Sequence, residues 1–247
     1  MLSYTVIIPA ATNNICPLLQ KASGTTILEN FVATFDSAER IVFVVSPKHS
    51  VAVEEAIKVS TTTPKSVFNV EQLQRLGTYD AVKFGLDWVG TQYTVVCYGT
   101  QQILDTTLIQ RCLEMLQSCA AEAVVPIICV DKPSTFLDID VTIKRVLHEK
   151  EDDDLPMSGF TDASLFVFET VALRKLMSEI NPAFMKGKRT GDYNFTSLLP
   201  FVSKQELISI DKNDVISVDS RKHNFRIASR RYEIGIHGGY EGERVGP

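Results

Sequence analysis

"RIVFVVSPKHSVAVEEAIKVSTTTPKSVFNV", residues 40–70, reads as strand, helix and strand in immediate succession. Its two ends are short apolar, β-branched runs, and a run without polar alternation is what a strand needs when both of its faces are buried. Between them, "SVAVEEAIKV" spaces its apolar residues for one face of a helix. Two such strands joined by a helical crossover form a parallel βαβ unit. The alternation continues outward on both sides. Upstream stand the strand "YTVIIPA" (4–10) and the helix "TILENFVATFDSA" (26–38). Downstream come the helix "TYDAVKFGLDWV" (78–89), the strand "YTVVCYG" (93–99), the helix "DTTLIQRCLEMLQSC" (105–119) with Asp105 as its N-cap, and the strand "EAVVPIICV" (122–130). The fold class is therefore α/β: a mostly parallel sheet in three layers, helices on both faces.

From about Asp140 the rhythm changes to successive strand patterns, "DVTIKRVLHE" (140–149) and "GFTDASLFVFE" (159–169), separated by the acidic "KEDDDLP" (150–156). A helix "TVALRKLMSEI" (170–180), a polar loop, a short helix "FTSLLPFVS" (195–203) and the strands "ELISID" (206–211) and "DVISVD" (214–219) close the chain. This second half adds a small antiparallel elaboration to the sheet. One domain over residues 1–228 is expected, followed by a glycine-rich, flexible tail at 229–247.

With 247 residues, 45% of them hydrophobic and 22% charged, the chain can bury a full core. A net charge of -5 argues against a surface built to neutralise duplex phosphates, so no nucleic-acid partner is expected. The five cysteines form no C-x-x-C pair and sit mostly in apolar or helical runs, the pattern of reduced thiols in a cytoplasmic protein. No apolar run approaches 18 residues and the N-terminus lacks a basic leader, so neither a membrane span nor a signal peptide is expected.

Open parallel sheets bind ligands at the carboxyl ends of their strands, where helix N-termini aim backbone amides at anions. The loop after the third strand, "EQLQRLGT" (71–78), ends in Gly77 and Thr78 at the start of a helix. A glycine there lets backbone approach an anion or a planar base closely, although such a pair often serves only as a helix cap.

The surroundings of Gly77, "NVEQLQRLGTYDAV" (69–82), resemble the nucleotide-binding loop of bacterial N-acetylglucosamine-1-phosphate uridyltransferases, members of the nucleotide-diphospho-sugar transferase superfamily with a Rossmann-like sheet. Four more segments are similar in order and approximate spacing: "SGTTILEN" (23–30), "YTVVCYGTQQIL" (93–104), "KRTGDYNFTSLL" (188–199) and "VISVDSRKHN" (215–224). The resemblance implies a sugar-phosphate nucleotidyltransferase, in which a sugar-1-phosphate attacks the α-phosphate of a nucleoside triphosphate, with UTP the expected one, and Mg²⁺ assists. It implies that Gln72, Gly77 and Thr78 read the base, that Thr100 lies at the nucleotide, that Asp162 and Asp192 face the sugar, and that Asp219 binds the metal.

The departures fall on the charged groups. The family's first loop is Gly-x-Gly-Thr-Arg-Met; its counterpart "PAATNNICP" (9–17) has neither glycine nor arginine, which leaves Lys21, the nearest cation, as the candidate catalytic lysine beside Asp219. The family's aspartate after Tyr-Gly is Thr100 here. Reactions of this type depend on positioning and on cationic stabilisation of the phosphates. Alternatives therefore stay open: an active transferase, a catalytically degenerate sensor or scaffold subunit that binds a nucleotide sugar, or a glycosyltransferase of the same fold. Self-association into a homo-oligomer is also open.

"KGKRTGDYN" (186–194) gathers Lys186, Lys188 and Arg189, and is read either as a solvated turn or as a clamp in which Lys188 and Arg189 contact substrate phosphate. Asp138 and Asp140 copy a metal-binding Asp-x-Asp, but so short a motif is usually a solvated edge. The acidic "EKEDDDLP" (149–156) lacks the spacing of a calcium loop and reads as a solvated turn. The four histidines are scattered, without zinc-site spacing.

Overall fold

The computed structural model describes residues 2–12, 15–22, 24–60, 66–103, 107–152, 154–211, 215–218 and 225–226. Asp105, Asp219 and the expected tail at 229–247 lie outside the described residues.

The first half follows the alternation. It runs β1 (Tyr4–Pro9), the small hairpin β2 (Lys21–Ala22) and β3 (Thr25–Thr26), α1 (Ile27–Thr34), β4 (Arg40–Val45), α2 (Pro47–Ser60), β5 (Ser66–Glu71), α3 (Thr78–Leu86) and β6 (Tyr93–Cys97). Then come β7 (Gln101–Ile103), α4 (Thr107–Ser118), β8 (Ala123–Asp131), β9 (Thr135–Ile139), β10 (Ile143–His148), β11 (Ser158–Asp162), β12 (Leu165–Glu169) and α5 (Thr170–Glu179). Two 3₁₀ segments, Pro182–Met185 and Phe195–Phe201, precede β13 (Gln205–Ser209), β14 (Val215–Val218) and β15 (Phe225–Arg226). Helix α1 starts on a capping box: the Thr26 hydroxyl accepts from the Glu29 amide at 3.1 Å, and the Glu29 carboxylate takes the Thr26 amide in return.

The main sheet has the order β11-β8-β12-β6-β1-β4-β5, with β13 on the other edge of β8. Strands β6, β1, β4 and β5 are mutually parallel, as the buried apolar runs require. Alternate residues of each strand feed two cores. Val6, Ile8, Ile41 and Phe43 pack with α1, α2 and α4, whereas Ile7, Val42 and Val44 pack with α3, α5 and the second 3₁₀ segment. The expected three layers are therefore present.

Two of the expected elements take a different form. The pattern at 159–169 is two strands, both antiparallel to their neighbours on one edge of β8. The break has a local cause: Ser164 adopts φ 53°, and the Asp162 carboxylate accepts the Ser164 amide at 2.8 Å. After this kink β12 is free to insert between β8 and β6. The helix expected at 195–203 is a 3₁₀ segment, and Pro200 within it cannot donate the backbone bond that an α-helix would need. Of the five cysteines, Cys16, Cys97 and Cys112 are buried thiols, while Cys119 and Cys129 are exposed. No described helix is long and apolar enough to cross a membrane.

Candidate functional site

A cavity of about 240 Å³ opens at the carboxyl ends of β1, β5 and β6, where an open parallel sheet is expected to bind. Strand β1 delivers residues 9–12, whose path is fixed by hydrogen bonds from the Ala10 amide to the Val44 carbonyl (2.8 Å) and from the Gly99 amide to the Pro9 carbonyl (3.1 Å). Gly99 is needed for that approach, since a Cβ there would stand 2.8 Å from the Cβ of Ala10.

The loop from β5 into α3 forms the second wall. Gln72 is only 2% exposed, its amide donates to the Val45 carbonyl at 2.8 Å, and its Nε2 donates to the Asp80 carboxylate (2.7 Å) and the Gly77 carbonyl (3.3 Å). The side chain lines the cavity and also folds the loop back onto the first turn of α3. Gln72→Ala removes both hydrogen bonds from partly buried acceptors and is expected to lower stability by about 1 kcal/mol, read as a shift of the urea midpoint at constant slope. An unchanged midpoint would mean that the loop does not depend on it.

Gly77 and Thr78 hold another part of the chain. Segment 193–195 runs alongside them: the Tyr193 amide donates to the Leu76 carbonyl (2.6 Å), the Tyr79 amide to the Tyr193 carbonyl (2.9 Å), and the Phe195 amide to the Thr78 hydroxyl (2.9 Å). Gly77 has φ 110° and faces the Tyr193 backbone so closely that a Cβ would lie 2.4 Å from its carbonyl oxygen. This pairing brings Asp192 and Asn194 into the cavity wall. The floor is Tyr98, whose hydroxyl is hydrogen-bonded to Thr78 and Thr196; burial, with the nearby Asp162 carboxylate, pushes the phenol well above its usual range.

Five residues named from the sequence, Gln72, Gly77, Thr78, Thr100 and Asp192, thus line one cavity. Asp162 is not in the lining. It is buried at the β11–β12 kink behind Tyr98, and burial raises its carboxyl above the ordinary range. Lys21 is exposed on the β2–β3 hairpin, beside Glu29 at the start of α1. Lys188 and Arg189 line a separate cavity of about 350 Å³ together with Arg145, Glu151, Asp152 and Asp154. Asp219 lies outside the described residues.

The basic loop is not a simple solvated turn, and neither is the acidic one. Glu151 accepts the Arg189 amide at 2.7 Å, the Thr190 amide at 3.3 Å and the Thr190 hydroxyl, and these bonds, the hydroxyl first, hold its carboxyl below the usual range. Asp152 accepts the His148 amide at 2.9 Å. The His148 ring is half-buried within 3.4 Å of Thr135, Thr196 and Ser197 hydroxyls, and burial lowers its pKa.

Sequence reading passed over Arg75, Tyr98, Lys150 and Asn194, all of them in the lining. Arg75 and Tyr98 stand inside the quoted strand-end segments and could have been found by asking which side chains flank Gly77 and Gly99. Lys150 carries no local signal, because only the tertiary packing of the β9–β10 hairpin brings it there.

No protein-family model matches the sequence, and no curated protein does. Solved structures match the fold. A Bacillus anthracis protein assigned as a glucose-1-phosphate thymidylyltransferase, in complex with a sucrose, superposes with a TM-score of 0.68 at 16% identity, over 97% of this chain and 98% of that one. HddC from Yersinia pseudotuberculosis gives 0.64 at 13% identity, over 95% and 97% of the two chains. Its complex with GMP-PN gives 0.63 at 15% identity, over 87% and 93%. The described residues of this chain thus share the Rossmann-like, mainly parallel α/β fold of these structures.

Proposed function

We propose that this protein binds a nucleoside triphosphate or a nucleotide sugar in the strand-end cavity, in the manner of a sugar-phosphate nucleotidyltransferase. The observation that carries the reading is the convergence of Gln72, Gly77, Thr78, Thr100 and Asp192 on one cavity at the carboxyl end of a parallel sheet. A uridine base is the finer reading, and it rests on the likeness of residues 69–82 to the uridyltransferase loop. Its partner substrate would be a sugar-1-phosphate, met on the Asp192 side.

A second reading, binding without turnover, is favoured by Thr100, which lines the cavity where the resembling enzymes have an aspartate. Mg²⁺ prefers several oxygen ligands in octahedral array. Among the described lining residues Asp192 is the carboxylate. That donor set does not by itself make a magnesium site.

Calorimetry against UTP, GTP, dTTP and UDP-N-acetylglucosamine, with and without Mg²⁺, tests the binding. A uridine ligand is expected to bind at least about fivefold more tightly than its purine counterpart, the effect of about one hydrogen bond. Equal affinity for all of them removes the base claim, and no binding to any removes the nucleotide reading. In a parallel assay of pyrophosphate release with N-acetylglucosamine-1-phosphate, turnover by the natural protein excludes the second reading.

A further inference from the structure

The strand-end cavity is lined by an arginine and a lysine that come from outside the first loop. Arg75 stands between β5 and α3, and its Nε donates to the Ala11 carbonyl at 3.2 Å. That bond ties the guanidinium to Ala11, in the segment whose counterparts in the resembling enzymes supply glycine amides and an arginine. A guanidinium carries five donors in a planar fork suited to phosphate oxygens, and Nε is one of them. Lys150 approaches from the turn after β10. Against these two cations the described lining sets one carboxylate, Asp192, so the side chains of the described lining are net cationic in a chain whose net charge is -5. The N-terminus of α3, with Gly77 and Thr78, lies in the same wall and adds the positive end of the helix dipole.

The cations named from the sequence lie elsewhere. Lys188 and Arg189 share their cavity with three acids, and Glu151 among these holds the loop by its amides. Lys21 stands on its hairpin, beside Glu29.

We propose that Arg75 and Lys150 are the phosphate-binding pair of this cavity, and that they replace the cationic function missing from the first loop. The ligand class this selects is a phosphate ester or anhydride, its phosphate held between the β1 loop and the turn after β10. The proposal rests on the nucleotide reading of the site for what the remainder of the ligand is, but not for the phosphate itself. Arg75 joins two loops through its bond to the Ala11 carbonyl, and its remaining donors are those offered to the anion.

The test uses the full chain and two probes, UTP and inorganic diphosphate, titrated calorimetrically without divalent ions. Arg75→Gln and Lys150→Gln are each expected to weaken both probes about tenfold, the effect of one charge-assisted hydrogen bond. Arg75→Lys, which keeps the charge, should retain more affinity than Arg75→Gln. Lys188→Gln with Arg189→Gln should change neither probe. Arg75 and Lys150 are exposed, and thermal melts of the variants are expected to match the natural protein. If UTP binds and both Gln variants bind it unchanged, the pair is wrong and the nucleotide reading stands. If diphosphate binding depends on the pair while no nucleotide competes for it, the pair stands and the nucleotide reading falls. If the natural protein binds neither probe at millimolar concentration, both fall.

Discussion

Gly77→Ala is expected to destabilise the protein by about 3 to 4 kcal/mol, combining backbone strain with the loss of neighbouring hydrogen bonds. At φ 110° and ψ -175° Gly77 occupies backbone space that a Cβ makes costly. Space is a second objection, because the new methyl would meet the Tyr193 carbonyl oxygen at 2.4 Å and its nitrogen at 2.6 Å. Both are backbone atoms, fixed by the Leu76 and Tyr79 hydrogen bonds on either side, so they cannot swing away as a flexible side chain would. The variant must break those bonds or carry the strain. Urea unfolding followed by circular dichroism reads the loss, and calorimetry should show ligand affinity falling with it. A midpoint corresponding to less than about 1 kcal/mol of destabilisation would mean that segment 193–195 yields easily, and that the pairing is not what shapes the cavity.

Phe195→Ala should cost as much or more, about 3 to 5 kcal/mol, the range for emptying a buried aromatic site. Phe195 is 0% exposed, and its ring meets Phe166 and Phe168 edge-on at centroid distances of 5.5 and 5.8 Å. Phe166 also contacts the Tyr98 ring at 5.5 Å, so the cluster supports the cavity floor from beneath. A useful contrast is Phe184, which stacks on Phe201 at the surface and is 65% exposed. Phe184→Ala should change stability by no more than about 0.5 kcal/mol. Similar losses for both phenylalanines would show that burial is not what distinguishes them.

The sheet was legible because its information is local. In residues 40–70, two runs of apolar β-branched residues and one amphipathic helix are enough to imply parallel strands, and the observed pairing of β4 with β5 follows. The kink at Ser164 was not legible, since Thr161-Asp162-Ala163-Ser164 holds neither glycine nor proline; the Asp162 carboxylate makes the break. Part of the site was readable for the same local reason. Gln72, Gly77 and Thr78 come from one short loop whose resemblance to a known loop can be seen, and Asp192 from another. Lys150 and Arg75 are ordinary surface cations in the sequence, and only the meeting of distant loops gives them a shared cavity. Lys188 and Arg189, read from the sequence as either a solvated turn or a clamp, line a separate cavity, where Glu151 accepts the Arg189 and Thr190 amides.

The hydrogen bond from Phe195 to Thr78 joins residues 117 positions apart. Such a contact is expensive to form early in folding, because a long chain segment must be closed before any local contact rewards it. The strands β1, β4, β5 and β6 can associate without residues 192–195, but the cavity cannot be completed without them. Competence to bind should therefore arise late, after most of the sheet exists, and on a ribosome only after segment 193–195 has emerged from the exit tunnel. A nascent chain halted before that segment would carry Gln72 and Arg75 on a nearly finished sheet and still have no wall opposite them.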